Sequence, residues 1–244
     1  MAEDPLAFVA FDIETTGFDA EAEVTVVGFA RELGCRIFCR TDGGVTGTPG
    51  QDGDAAESRA RDTETAETLE SRLRERVDTP IAVSTHDGES PLLAAVTQFV
   101  RANLDGDDEL LVAYNGERYR GGFDLPFLRT RYAAQDMPWP FRDLPYADLL
   151  PVVRDQFNTT VDGDTHDDLT GAYGVLLGEG LNDLDPFADS AAAVGAYERG
   201  DTEALVLHNV ADVLRTFALG QLSRRYCSRS DYQLKSLTPA DPES

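Results

Sequence analysis

Leu6-Ala7-Phe8-Val9-Ala10-Phe11-Asp12-Ile13-Glu14-Thr15-Thr16-Gly17 is the stretch on which the fold of this chain turns. Everything before Asp12 in it is apolar, as in a central strand covered on both faces. Asp12 and Glu14 lie two apart, so on a strand their side chains point to one face and can approach one cation together. An ionised carboxylate held out of water costs several kcal/mol unless a cation accompanies it, and a bound metal removes that cost. A solvated Asp-x-Glu at a strand end is a common alternative, and the specific string from Phe11 to Gly17 weighs against it.

Outward from this strand, Glu23 to Arg31 and Cys35 to Arg40 read as two further strands around a turn at Gly34, an opening antiparallel meander. Residues 41–79 then change to Gly, Asp, Glu, Thr and Arg, with Leu69, Leu73 and Val77 at helical spacing. This is expected to be a polar, acidic surface insertion ending in a weak helix. Pro80 to Ser84 reads as a short strand, Pro91 to Asn103 as an amphipathic helix and Leu110 to Tyr114 as a strand. Helices are predicted over about 123–135, 165–178, 187–199 and 202–224. Strands followed mainly by helices predict an α/β fold. At 244 residues and 41% hydrophobic, the chain suits a single domain over residues 1–244 that carries the 41–79 insertion.

The string Phe11-Asp12-Ile13-Glu14-Thr15-Thr16-Gly17 resembles the first motif of the DEDD exonuclease superfamily, which includes polymerase proofreading domains. That family's second motif, an Asn followed by Phe-Asp and an apolar segment, is similar to Asn115 and then Phe123-Asp124-Leu125-Pro126-Phe127-Leu128. The connection from Gly116 to Gly122 is longer than in most members. For the third motif the chain offers two pairs at i, i+4 spacing, Tyr197 with Asp201 and His208 with Asp212. Gly200-Asp201 reads as a helix break with Asp201 as N-cap, which would separate Tyr197 from Asp201. His208-Asn209-Val210-Ala211-Asp212-Val213 lies inside the following helix and resembles the polymerase-B-related branch, where Tyr-Asn-x-x-Asp-Val is common. The expected third pair is therefore His208 and Asp212, with Tyr197 and Asp201 as the alternative.

The resemblance implies a ribonuclease-H-like mixed sheet flanked by helices and a 3′→5′ exonuclease acting on single-stranded or 3′-end nucleic acid, DNA or RNA. Asp12, Glu14, Asp124 and Asp212 would hold two Mg²⁺ or Mn²⁺ ions for in-line displacement at a terminal phosphodiester. His208, with an ordinary pKa of about 6.5, would be the general base. Thr15, Asn115, Arg118, Arg120 and Arg129 are candidate substrate contacts, with Arg131 nearby and a second basic cluster at Arg224, Arg225, Arg229 and Lys235. The plainer reading of that second cluster is cations placed at a helix C-terminus. Replication or repair proteins are expected partners. The alternative function is a catalytically silent nucleic-acid-binding or scaffold protein on the same fold.

Composition sets the surroundings in which this would happen. Forty-five acidic residues against 21 basic ones give a net charge of −24, and Lys235 is the only lysine. A halophilic cytoplasm would explain both features. At molar salt the Debye length falls to about 3 Å, so metal and phosphate contacts rather than long-range steering must carry binding to a polyanion. The acidic N-terminus lacks the basic flank of a signal peptide and no apolar run approaches a membrane span, so a cytoplasmic, membrane-free location is expected. Cys35, Cys39 and Cys227 form no CxxC pair, and His86, His166 and His208 are scattered. Buried free thiols are expected rather than a structural zinc site.

Overall fold

A computed structural model describes residues 7–42, 66–117, 122–187 and 190–241. Its centre is β1 (Ala7–Thr15), flanked by antiparallel β2 (Val24–Arg31), with β3 (Gly34–Arg40) antiparallel to β2. The meander expected from the sequence is thus present. Chain reversal at Gly34 uses a left-handed φ of 130°, and a Cβ there would collide with the Pro80 carbonyl.

From β3 the chain passes through α1 (Ala66–Arg74) to β4 (Ile81–His86), which pairs parallel to β3. A parallel pairing needs a crossover, and α1 is the described part of it. Leu69 and Leu73 are fully buried and Val77 nearly so. The weak helix expected at the end of the insertion is therefore core structure rather than surface. The preceding acidic tract, residues 43–65, lies outside the described residues.

After α2 (Glu89–Asn103), β5 (Glu109–Ala113) pairs parallel to β1 on its other side. α3 (Asp124–Ala134) leads to β6 (Pro145–Asp148), parallel to β5, and directly into α4 (Leu149–Gln156). Neither β6 nor α4 was predicted. Four residues carry too little alternation to announce a strand, and β6 is specified by its ladder with β5. Asp148 is the N-cap of α4, accepting from Leu150 N at 3.0 Å.

A small hairpin, β7 (Thr160–Val161) and β8 (Asp164–Thr165), precedes α5 (Leu169–Leu177), α6 (Ser190–Glu198) and α7 (Thr202–Tyr226). A final β9 (Lys235–Ser236) completes a seven-stranded mixed sheet in the order β4-β3-β2-β1-β5-β6-β9. The protein is thus α/β, with helices on both faces.

Strand alternation assigns the two faces. Val9, Phe11 and Ile13 pack with residues of α2 and α3, such as Leu92, Leu93, Leu125 and Leu128. Phe8 and Ala10 pack with Leu207, Val210 and Leu214 of α7. Asp12 and Glu14 continue the Phe8-Ala10 row, so they emerge beneath α7. Among the described residues, no helix is long and apolar enough to cross a membrane.

Candidate metal centre

Three elements distant in sequence converge at the C-terminal end of β1. That strand supplies Asp12 and Glu14, the first turn of α3 supplies Asp124, and α7 supplies His208 and Asp212. Asp12, Glu14, Asp124 and Asp212 border one cavity of about 180 Å³, and Thr15 and Asn115 form part of its wall. A carboxylate at the start of α3 also faces the positive end of that helix.

Burial is the main cause that raises the pKa of all four acids. Asp12 and Glu14 stand well above the ordinary range, through burial and then repulsion from the other carboxylates. Asp124 is pushed up to about 8 by burial, then by Asp148 and Asp212. Asp212 is raised by burial, against the opposing pull of His208 and Arg215. Four mutually repelling acids around one cavity create a demand for positive charge.

His208 stands beside these acids. Its Nε2 lies 3.9 Å from Glu14 Oε1 and 3.7 Å from Asp212 Oδ2, too far for hydrogen bonds. This buried nitrogen has no hydrogen-bond partner among the described residues. Burial works to lower the pKa of His208, but Asp185 and Asp212 raise it overall. Glu14, His208 and Asp212 each offer a ligand atom, all within 4.8 Å of one another. Carboxylate oxygens are the donors that suit Mg²⁺ or Mn²⁺, and four of them repelling one another around one cavity are consistent with a cation among them.

The alternative third pair is excluded from this cavity. Gly200 adopts φ 73°, α6 ends at Glu198, and Asp201 caps α7 by accepting from Ala204 N at 3.3 Å. Tyr197 is turned to Asp42, donating its hydroxyl at 2.8 Å, with the Arg40 guanidinium 5.5 Å from its ring centre.

The expected substrate contacts divide. Thr15 is buried on the cavity wall and donates its hydroxyl to Gly17 O at 2.6 Å, leaving oxygen lone pairs free to accept. Asn115 sits at φ 62°, a left-handed conformation that Asn tolerates, with its N–H donating to Asp148 Oδ1 at 2.9 Å. Its side-chain Oδ1 is buried without a partner among the described residues. Arg118 and Arg120 lie outside the described residues. Arg129 is not on the cavity wall; it pairs with Glu117 at 3.2 Å and lies over Trp139. Arg131 serves the core instead, joined to buried Glu89 at 2.7 Å. In the C-terminal cluster, Lys235 also pairs with Glu117, and Arg224 and Arg225 occupy the last turn of α7.

Sequence reading passed over Asn209, Asp185 and Arg215. Asn209 is fully buried and donates to Asp12 Oδ2 at 2.9 Å. It fits because Gly28 stands opposite Asp12 in β2, where any Cβ would collide with Asn209 Oδ1. Polar residues at 208, 209, 212 and 215, interrupting the apolar run from Ala204 to Leu214 and just after it, were a usable signal for Asn209 and Arg215. Asp185 lies in a polar loop with no periodicity and left none. Asp148 caps α4 and also holds the Asn115 turn beside Asp124.

Scanned against models of protein families, the chain matches none, and no curated protein matches it.

Proposed function

We propose that this protein is a metal-dependent 3′→5′ exonuclease of the DEDD type on a ribonuclease-H-like sheet. The observation that carries the reading is the meeting of Asp12, Glu14, Asp124 and Asp212 around one cavity with His208 beside them. The strand order β3-β2-β1-β5-β6, with only β2 antiparallel within that set, supports the fold assignment.

The four carboxylates would hold Mg²⁺ or Mn²⁺, most naturally two ions. When bound, such ions supply a more acidic water and charge neutralisation for the phosphate and the departing 3′ oxygen. His208 Nε2 is the nitrogen available to accept a proton from the attacking water. Asn209 orients Asp12, and Thr15 and Asn115, on the cavity wall, would contact the terminal nucleotide. A substrate of single-stranded or 3′-end nucleic acid, cytoplasmic work at high salt and partners in replication or repair belong to the same proposal.

The test is release of mononucleotides from a 3′-labelled strand with Mg²⁺ or Mn²⁺ at high salt, repeated with Asp12→Ala. Loss of at least about 10²-fold in the variant is expected. Equal inertness of both proteins, with retained single-strand binding, would replace the enzyme by a silent binding protein. Cleavage of circular single strands would make it an endonuclease.

A further inference from the structure

Behind His208 lies a buried polar chain that the carboxylate site does not require. His208 Nδ1 is 2.8 Å from Asp185 Oδ1, and Asp185 Oδ2 accepts from Arg215 Nη1 at 2.8 Å. Asp185 Oδ1 also accepts from Phe187 N at 3.0 Å. The Arg215 side chain is 1% exposed, and it donates further to Asn182 Oδ1, Leu181 O and Asp212 Oδ1. A fully buried guanidinium is costly unless its donors are satisfied, and here they tie the 181–187 loop to α7.

Direction follows from the partners. Arg215 and the Phe187 N–H can only donate, so the Asp185 carboxylate accepts from both and is ionised; its pKa is lowered by His208 and Arg215 against the effect of burial. The remaining contact must then be donated by Nδ1–H of His208. Nε2 is left as the nitrogen facing Glu14 and Asp212, and the Phe187 ring packs edge-on against the imidazole at 5.4 Å.

We propose that Asp185, held by Arg215, is a positioning residue that locks His208 in the Nδ1–H tautomer with its Nε2 lone pair turned toward Glu14 and Asp212. This deepens the reading of His208 as general base and rests on it. In the reaction, a water proton passes to Nε2, the hydroxide forms the new bond to phosphorus as the P–O3′ bond breaks, and the departing 3′ oxygen takes a proton from solvent. The imidazolium keeps its Nδ1 proton, which Asp185 accepts only as a hydrogen bond. Because Arg215 also grips Asp212, the same residue fixes the base and one proposed metal ligand relative to each other.

The experiment is ¹⁵N NMR of histidine-labelled protein loaded with Mg²⁺, at a pH where the ring is neutral, together with steady-state kinetics. Wild type is expected to show His208 protonated at Nδ1 alone. Asp185→Asn, which can turn its amide N–H toward the ring, is expected to move the proton to Nε2 and to lower kcat by about 10²–10⁴-fold while KM changes little. A wild-type ring protonated at Nε2 overturns the proposal, and so does an Asp185→Asn enzyme with wild-type kcat. The wild-type spectrum needs no variant to fold. Should the protein lack nuclease activity, the exonuclease reading fails while the tautomer still decides this one.

Discussion

At the scale of single residues, the orientation of Asp12 depends on one hydrogen bond from Asn209, and that bond depends on the absence of a side chain at Gly28. Groups that orient a metal ligand commonly contribute 10–100-fold to affinity. Asn209→Ala is therefore expected to weaken Mn²⁺ binding by about that factor while Asp12 itself remains. Titration calorimetry checks it, and an unchanged affinity would mean that Asp12 is oriented by something else. Asp12 and Glu14 could be picked out from their two-residue spacing and the motif string around them, whereas His208 with Asp212 shared its four-residue spacing with Tyr197 and Asp201 and was singled out by the Gly200 break and the resemblance of its helix segment. Asp185 could not, because it approaches His208 from 23 residues away in a loop without period.

At the scale of elements, the break between α6 and α7 decides which pair of residues enters the site. Asp201 spends its carboxylate on the N-terminus of α7, a role that ordinarily contributes about 1 kcal/mol. Asp201→Ala is expected to lower stability by about that amount in a urea melt and to leave metal binding intact. Lost metal binding would return Tyr197 and Asp201 to the site. α1 is a second case, since its Leu69 and Leu73 are buried although the tract before it is acidic and polar. Leu73→Ala should cost about 2–5 kcal/mol, as a core truncation does. A loss under about 0.5 kcal/mol would show α1 to be a surface appendage after all.

For the whole molecule, acids dominate both the composition and the site. Asp124 titrates near 8 in the fold and near 3.9 in an unfolded chain, so across that window the folded form binds more protons. Its contribution is fully present below about pH 3.9 and is lost as pH rises through about 8. Asp12, Glu14 and Asp212 are raised in the same direction. Asp42 and Asp185 have lowered values, so their contribution disappears only on acidification below the ordinary carboxylate range. Metal-free protein is accordingly expected to show a lower urea midpoint at about pH 8 than at about pH 5, and Mn²⁺ should narrow the gap. A midpoint unaffected by Mn²⁺ at pH 8 would argue against a cation among these carboxylates.

The sequence by itself determined what is local and periodic. An apolar strand ending in two same-face carboxylates, the meander after it, and a long helix begun by Gly200-Asp201 and carrying His208 and Asp212 are all consequences of side-chain spacing and backbone preference. Tertiary structure alone decided what depends on packing between distant segments. It made a core helix of α1 and a strand of Pro145–Asp148, because burial and a neighbouring ladder override weak local signals. It also brought Asp185 and Arg215 behind His208 and set Gly28 under Asn209. A hydrogen bond across a fold requires two atoms to meet at about 3 Å, and no spacing along the chain encodes that meeting.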